Sequence, residues 1–245
     1  MRRAIILAIC GFVLVLVVLL PVRWIAPLLP HALRCQQLDG SVWRGSCAGL
    51  TTANGALGDL NWDVRALQLL RGRLELQLDL TSQGGYLRGV LAMGLGGALH
   101  GRNVTLDLPL TSTLVSSLPA GAHARLTGKL SRFDWNGKFL DALQGELNVL
   151  DFVGAQGQSF GSYQAIFAPD ANAGAAATPT GVVHDLGGGP LALDATVQLT
   201  PDPGYVLQGQ VAARPAAPPE LAEQLRYLGS PDASGRRPFS LAGTF

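Results

Sequence analysis

The serine at position 159 is the best candidate in this sequence for a catalytic nucleophile. Residues 157–161 are GQSFG, the G-x-S-x-G pattern of the hydrolase nucleophile elbow, and Asp170 and His184 follow in the required order. That elbow needs a helix directly after the serine, to expose the hydroxyl and support an oxyanion. Residues 163–167, YQAIF, favour a strand instead. We therefore expect a hairpin here, and no enzyme.

The remaining titratable residues are too scattered for metal or cofactor chemistry. The chain has four histidines and contains no Cys-x-x-Cys or His-x-x-x-His spacing. Its glycine runs at 94–97 and 187–190 lack the Gly-Lys-Ser/Thr of a phosphate loop. The sequence predicts no metal and no cofactor, and it predicts ordinary surface or turn positions for His31, His100, His123 and His184.

Composition favours a β domain and argues against nucleic-acid binding. Hydrophobic residues make up 48% of the 245 positions and charged residues only 14%, against about 25% in a typical soluble domain. The 31 glycines favour short strands and turns over long amphipathic helices. A net charge of +1, with Lys and Arg thinly spread, leaves no basic stripe to neutralise phosphates.

An uncharged N-terminal run predicts a membrane anchor over residues 4–22. Nineteen residues of helix span roughly 28 Å, close to the hydrocarbon thickness of a bilayer. Arg2 and Arg3 precede the run and Arg23 follows it, which favours a cytoplasmic N-terminus, and Trp24 lies where an interfacial aromatic anchor belongs. A cleaved signal peptide is the alternative, but the run is long and no good cleavage site follows.

This anchor divides the chain into four predicted parts. Residues 1–3 are cytoplasmic, 4–22 cross the inner membrane, 23–36 form a membrane-proximal connector, and 37–245 form a periplasmic β domain. Cys35 and Cys47 are then the exported cysteines, and an oxidising compartment favours a disulfide worth about 3 kcal/mol. Two unpaired buried thiols remain the alternative, because pairing needs matched Cα positions.

The dominant period beyond residue 35 is two, as in half-buried antiparallel strands. Residues 74–81, LELQLDLT, alternate without a fault, so one face is all leucine and the other all polar. The same pattern predicts strands at 104–108, 191–199 and 205–211, with a hairpin at 200–204. A sheet with one leucine face must cover it by curling, by a second sheet or by a ligand.

Three tryptophans lie at predicted strand ends in this domain. Residues 40–47, GSVWRGSC, predict an early strand in which Trp43 covers the core and Arg44 points away. Trp62 and Trp135 belong to stretches that match at an offset of 73 residues, 60–74 and 133–147, which suggests an internal repeat. We expect these rings to be buried, with exposure as partner anchors the alternative.

The last third of the chain differs from the regular pattern. Residues 168–189 are rich in Ala, Gly and Pro and predict a flexible loop or linker. Residues 218–229 predict one short helix, with prolines at the start and a glycine past the end, and 237–245 predict a closing strand. The predicted fold is therefore mainly β: an N-terminal transmembrane helix, then a curved antiparallel β-meander, with a short C-terminal helix.

Together these stretches resemble protein N of the type II secretion system of Gram-negative bacteria. The resemblance rests on the short Met-Arg-Arg start with its anchor, on 38–45, LDGSVWRG, on the unit 60–74, and on the C-terminal LRYLG and LAGTF. It implies an accessory, non-enzymatic inner-membrane component that assists export of folded proteins across the outer membrane. Its implied partners are other inner-membrane secretion components.

A second family also fits an anchored, leucine-faced antiparallel sheet. The chain resembles AsmA-like envelope proteins, in which an apolar trough shields acyl chains, so lipid is an alternative partner. The two interpretations differ in one structural feature. A lipid carrier leaves its apolar groove open, whereas a scaffold fills the groove with side chains and exposes an edge strand to partners.

Overall fold

A computed structural model describes residues 20–24, 33–52, 55–65, 68, 73–94, 97–111, 118–169, 178–201 and 204–244. Most of the predicted anchor at 4–22 lies outside these residues. Within them, no helix has both the length and the apolarity needed to cross a membrane. A short 3-10 helix, Val22–Trp24, precedes the sheet.

The described chain forms thirteen strands and a short helical segment. The helical segment consists of α1, Pro219–Gln224, continued by a 3-10 turn, Leu225–Leu228. It lies between the last two strands, as the prolines and glycine predict. The strands are β1 Arg34–Gly40, β2 Arg44–Thr52, β3 Gly55–Val64, β4 Arg73–Ser82, β5 Gly85–Gly94, β6 Leu99–Thr111, β7 His123–Trp135, β8 Leu140–Val153, β9 Ser159–Phe167, β10 Thr180–Asp185, β11 Leu191–Thr200, β12 Gly204–Ala213 and β13 Arg237–Thr244.

All thirteen strands belong to one sheet, in the order in which they occur along the chain. Every neighbouring pair is antiparallel. β1 and β13 form the two edges and are not paired with each other. The prediction of a mainly β antiparallel meander with one short C-terminal helix is confirmed.

One face of this sheet is apolar along its whole width. Cross-strand pairing aligns a single row of side chains that includes one residue from every strand, and none of them is polar. Because neighbouring positions along each strand point to opposite faces, the intervening polar residues lie on the other face. The row is Leu38, Cys47, Leu60, Leu80, Leu87, Leu106, Gly128, Leu147, Ala165, Val183, Ala195, Gly209 and Phe239.

The apolar face is packed at two places and only partly covered elsewhere. A central cluster is built around Val104, Leu106 and Leu130. A second cluster forms where Leu221 of α1 packs on Leu191 and Val211. No side chain of the described residues is below 2% exposure, so the face is shielded but not sealed.

The single strand predicted at residues 40–47 is wrong, because residues 41–43 form a hairpin turn and only 44–47 belong to β2. β1 ends at Gly40, whose φ of +96° suits glycine, and β2 begins at Arg44. The backbone N–H of Ser41 donates to the carbonyl of Arg44 at 2.8 Å and closes the turn. The glycines that seemed to bracket a strand therefore belong to the reversal between two strands.

Two other segments also differ from expectation. β1 begins at Arg34, so Cys35 lies in the sheet and not in a connector ending at 36. The predicted loop at 168–189 contains strand β10, Thr180–Asp185, between β9 and β11. This strand has only six residues, TGVVHD, and contains a glycine, so its sequence does not show the alternating pattern of a strand.

The stretches that match at an offset of 73 residues fall on β3–β4 and β7–β8, two antiparallel neighbouring pairs. In the second stretch, Gly145 lies inside β8 and not in the turn that connects β7 to β8. The turn is formed instead near Asn136, whose N–H donates to the carbonyl of Phe139. Internal duplication stays a prediction.

Candidate functional site

The apolar face holds a cavity of about 500 Å³ at its N-terminal end. Strands β1 to β4 supply most of its walls, and all of its lining residues are nonpolar. Leu74, Leu76 and Leu78 line it from β4, as the alternation of that strand predicts. The other lining residues are Val22, Leu33, Cys35, Leu38, Val42, Trp43, Cys47, Leu50, Leu60, Trp62 and Val64.

Two of the three tryptophans at predicted strand ends line this cavity. Trp43 lies in the β1–β2 turn and Trp62 in β3, and both rings are half-buried against it. The Trp62 indole N–H donates to the carbonyl of Val42 at 3.2 Å, which ties the turn to the sheet. Arg44 lies outside, with its side chain 80% exposed and paired with Asp63.

The two cysteines also lie in the wall of the cavity. Cys35 in β1 and Cys47 in β2 are joined by a disulfide, with their Cα atoms 5.7 Å apart. Cys47 is buried, at 3% exposure. The bond links the edge strand to its only neighbour, and so it fixes one wall of the cavity.

The last residues of the predicted anchor, 20–22, contact the β1–β2 turn beside this cavity. The backbone N–H of Val42 donates to the carbonyl of Leu20, and Pro21 forms a bridge with Ser41. Val22 is buried, whereas Trp24 is 66% exposed. Arg23 is exposed as well. The other predicted membrane-interface residues, Arg2 and Arg3, lie outside the described residues.

Trp135 does not share the environment of the other two tryptophans. It ends β7 and is 41% exposed, so the expectation that its ring is buried is wrong. Larger apolar exposure occurs at the C-terminal end of the chain. Tyr227 is 91% exposed after α1, and Leu241 on the edge strand β13 is 52% exposed.

A second cavity, of about 770 Å³, lies on the opposite, polar face of β4 to β7. It is built from two neighbouring rows of the sheet. The first row contains Glu75, Ala92, His100 and Asp134, and the second contains Gln77, Val90, Arg102 and Arg132. Ala92 is small, so the β5 position leaves room between the charged side chains on β4 and β6.

Glu75 is buried on this polar face, at 5% exposure. Its carboxylate accepts hydrogen bonds from Arg65 Nη1 at 2.9 Å and from Arg102 Nη2 at 2.6 Å. The second contact crosses over β5, above Ala92. The leucines on either side of Glu75 are only half-buried, so at this point of β4 the charged side chain is more buried than its apolar neighbours.

Asp134 is the second buried carboxylate, at 8% exposure. His100 Nδ1 lies 2.7 Å from Oδ1, and Arg132 Nε donates to Oδ2 at 2.6 Å. Burial acts to raise the pKa of Asp134, but these hydrogen bonds and the Arg132 charge outweigh it and hold the pKa below its ordinary value. Asp134 therefore stays ionised at neutral pH.

Sequence reasoning missed this polar cluster, although its signal is present. Three charged doublets occur at i, i+2 spacing, which puts both members on one face of a strand. The doublets are Arg73–Glu75 on β4, His100–Arg102 on β6 and Arg132–Asp134 on β7. Only the pairing register brings the three doublets together.

The hydrolase pattern is not assembled into a nucleophile elbow. Ser159 is the first residue of β9, directly after a turn closed by the Gly154 N–H and the Gln158 carbonyl. His184 on β10 lies opposite Gln164 on β9. Gln164 is five residues along β9 from Ser159, a distance of roughly 16 Å, so His184 and Ser159 are far apart. The Nδ1 atom of His184 contacts Asp194 at 2.8 Å, and Asp170 lies outside the described residues.

Comparison with known proteins agrees with the resemblance in the sequence. The profile of the family "Type II secretion system (T2SS), protein N" matches residues 31–240. Type II secretion system protein N of Aeromonas hydrophila is 28% identical over 241 residues, 95% of this chain and 93% of that protein. The protein of the same name from Vibrio cholerae serotype O1 is 28% identical over 230 residues, 88% of this chain and 86% of that protein. No solved structure matches the chain. The chain therefore belongs to the protein N family of the type II secretion system.

Proposed function

We propose that this protein is an accessory scaffold of the type II secretion machinery, anchored in the inner membrane with its sheet in the periplasm. Family membership supports the secretion role. The scaffold part of the proposal rests on one observation: a free sheet edge lies beside exposed apolar side chains at the C-terminal end.

The edge strand β13 is suited to contact another protein. Among the described strands it pairs only with β12, so no described strand covers its outer backbone groups, to which a partner strand could pair. Leu241 on this strand and Tyr227 after α1 are the most exposed large apolar side chains at that end. Tyrosine is enriched in binding hot spots, and a ring that is 91% exposed contributes little to packing within the domain.

A complementation experiment tests the scaffold. The gene is deleted, and full-length variants are returned and scored for secretion of exported enzymes and for co-purification with inner-membrane secretion components. The double variant Tyr227→Ala, Leu241→Asp should reduce both readouts, whereas Tyr86→Ala, an exposed aromatic on the polar face, should not. Normal secretion in the deletion strain, without co-purification of the wild type, would refute the proposal.

A second candidate function is lipid binding, and the apolar cavity favours it. A space of about 500 Å³ with only nonpolar lining residues is within the usual size of a ligand pocket. Val22, the last residue of the predicted anchor, is among the lining residues, so a lipid could enter directly from the membrane surface. In this interpretation Leu74, Leu76 and Leu78 contact an acyl chain.

Mass spectrometry separates this candidate from the scaffold. The full-length wild type, extracted in non-ionic detergent, should carry phospholipid if the cavity is a lipid site. Leu76→Asp should lose that lipid, whereas Leu241→Asp, at the opposite end of the sheet, should keep it. Absence of bound phospholipid from the wild type would count against lipid binding and would leave the scaffold proposal intact.

A further inference from the structure

We propose that the polar cavity on β4 to β7 is a binding site for a phosphate group. This inference is independent of both functions proposed above. The cavity and the apolar one lie on opposite faces of β4, since Arg73 and Glu75 line one and Leu74 and Leu76 the other. β4 is three strands from the nearest edge, roughly 14 Å, so one small ligand does not reach both.

The charge of the cavity favours an anion. Arg73, Arg102 and Arg132 line it, and Arg65 bonds Glu75 from beside it. Together, these four arginines and the carboxylates of Glu75 and Asp134 contribute a net charge of +2. Among the described residues, no carboxylate pairs with Arg73, so its guanidinium is free to bind a ligand.

The two carboxylates hold the basic groups in place without covering them. Glu75 is bonded to Arg65 and Arg102, and their side chains remain 55% and 57% exposed. Arg132, bonded to Asp134, remains 56% exposed. Each guanidinium therefore keeps N–H donors available to a ligand in the cavity. A site held in this way loses less side-chain entropy on binding.

The arrangement suits phosphate better than carboxylate. Arg73, Arg102 and Arg132 approach from three different strands, whereas a planar carboxylate is satisfied by one guanidinium fork. A phosphate monoester presents three acceptor oxygens in different directions and carries about −1.5 to −2 charges, which matches the +2 of the cluster. The source of the phosphate is either a soluble phosphate or the headgroup of an anionic lipid.

Calorimetry on the full-length protein in non-ionic detergent tests this site. The probes are pyrophosphate, soluble dihexanoyl phosphatidic acid, dihexanoyl phosphatidylcholine and acetate. We expect the first two to bind and the last two not to. If phosphatidic acid binds at least tenfold more tightly than pyrophosphate, the natural ligand is a lipid headgroup. If phosphatidic acid binds equally well or more weakly, the natural ligand is a soluble phosphate.

Matched variants localise the binding. Arg73→Gln should weaken phosphate binding about tenfold, as expected for loss of one charge-assisted contact. Arg88→Gln, with the same charge change elsewhere on the polar face, should leave it within twofold. The unfolding midpoint of both variants checks that the sheet is intact. No binding by the wild type at low salt, equal affinity for acetate, or an equal loss in both variants would overturn the proposal.

Discussion

Replacing Glu75 by glutamine should destabilise the protein by about 2 kcal/mol. The substitution keeps the shape of the side chain and removes its charge at a position that is 5% exposed. A hydrogen bond to a charged group contributes about 1.5–3 kcal/mol when buried. Arg65 and Arg102 are more than half exposed, so solvent screening reduces each contribution toward about 1 kcal/mol.

The measurement is equilibrium unfolding of the full-length protein, followed by the fluorescence of its four tryptophans. In a domain of this size, about 2 kcal/mol corresponds to a fall of roughly 4–8 °C in the melting temperature. Asp79→Asn is the matched control, because Asp79 pairs with Arg88 on the same face but is itself 39% exposed. That exposed pair should contribute less than about 1 kcal/mol.

The two variants together test the role of burial on the polar face. If Glu75→Gln and Asp79→Asn cost the same within about 0.5 kcal/mol, burial of Glu75 does not strengthen its ion pairs, and the reasoning is wrong. If Glu75→Gln stabilises the protein, the desolvation cost of the carboxylate exceeds the stabilisation from its ion pairs with Arg65 and Arg102.

Three further predictions concern the disulfide, the strand glycines and pH. Replacing Cys35 and Cys47 by serine should cost about 3 kcal/mol, and the wild type should expose one reactive thiol before reduction and three after it, since the chain has three cysteines. Gly209→Ala should lower the free energy of unfolding by more than about 1 kcal/mol, because a Cβ there would clash with the Asp194 carbonyl oxygen. Gly94→Ala should be nearly neutral, because the nearest atom to its Cβ would be 4.0 Å away, and a comparison of the two unfolding midpoints tests this prediction. Asp134 has a lowered folded pKa, so its contribution is complete above its ordinary value of 3.8 and is lost as pH falls through the folded pKa. Asp134→Asn should therefore be less stable than wild type at pH 7, and the difference should narrow as pH falls below 3.8, in unfolding curves across that range.

The sequence alone predicted most of the fold, because strand formation and turns depend on local patterns. The alternation of β4 predicted its two faces, and the turn residues near 200–204 predicted the β11–β12 hairpin. The prolines and glycine around 218–229 predicted the helical segment between β12 and β13. Strands connected by short turns then pair with their sequence neighbours, which accounts for the order from β1 to β13.

Local patterns failed where a residue's role depends on what lies across from it. Gly40 and Gly45 appeared to enclose a strand, but the first ends β1 and the second opposes Trp62 in β3. The three charged doublets were visible one by one in the sequence. Their convergence depends on the pairing of β4 through β7, which a single strand does not determine.

The sequence by itself therefore determined the fold class, the C-terminal helix and, for the strands that alternate regularly, which face is apolar. Only the tertiary structure decided the two cavities, the burial of Glu75 and Asp134, and the approach of Cys35 to Cys47. The physical reason is that alternation and turn chemistry act over a few neighbouring residues. Register and burial are set by side chains that meet across strands from distant parts of the chain.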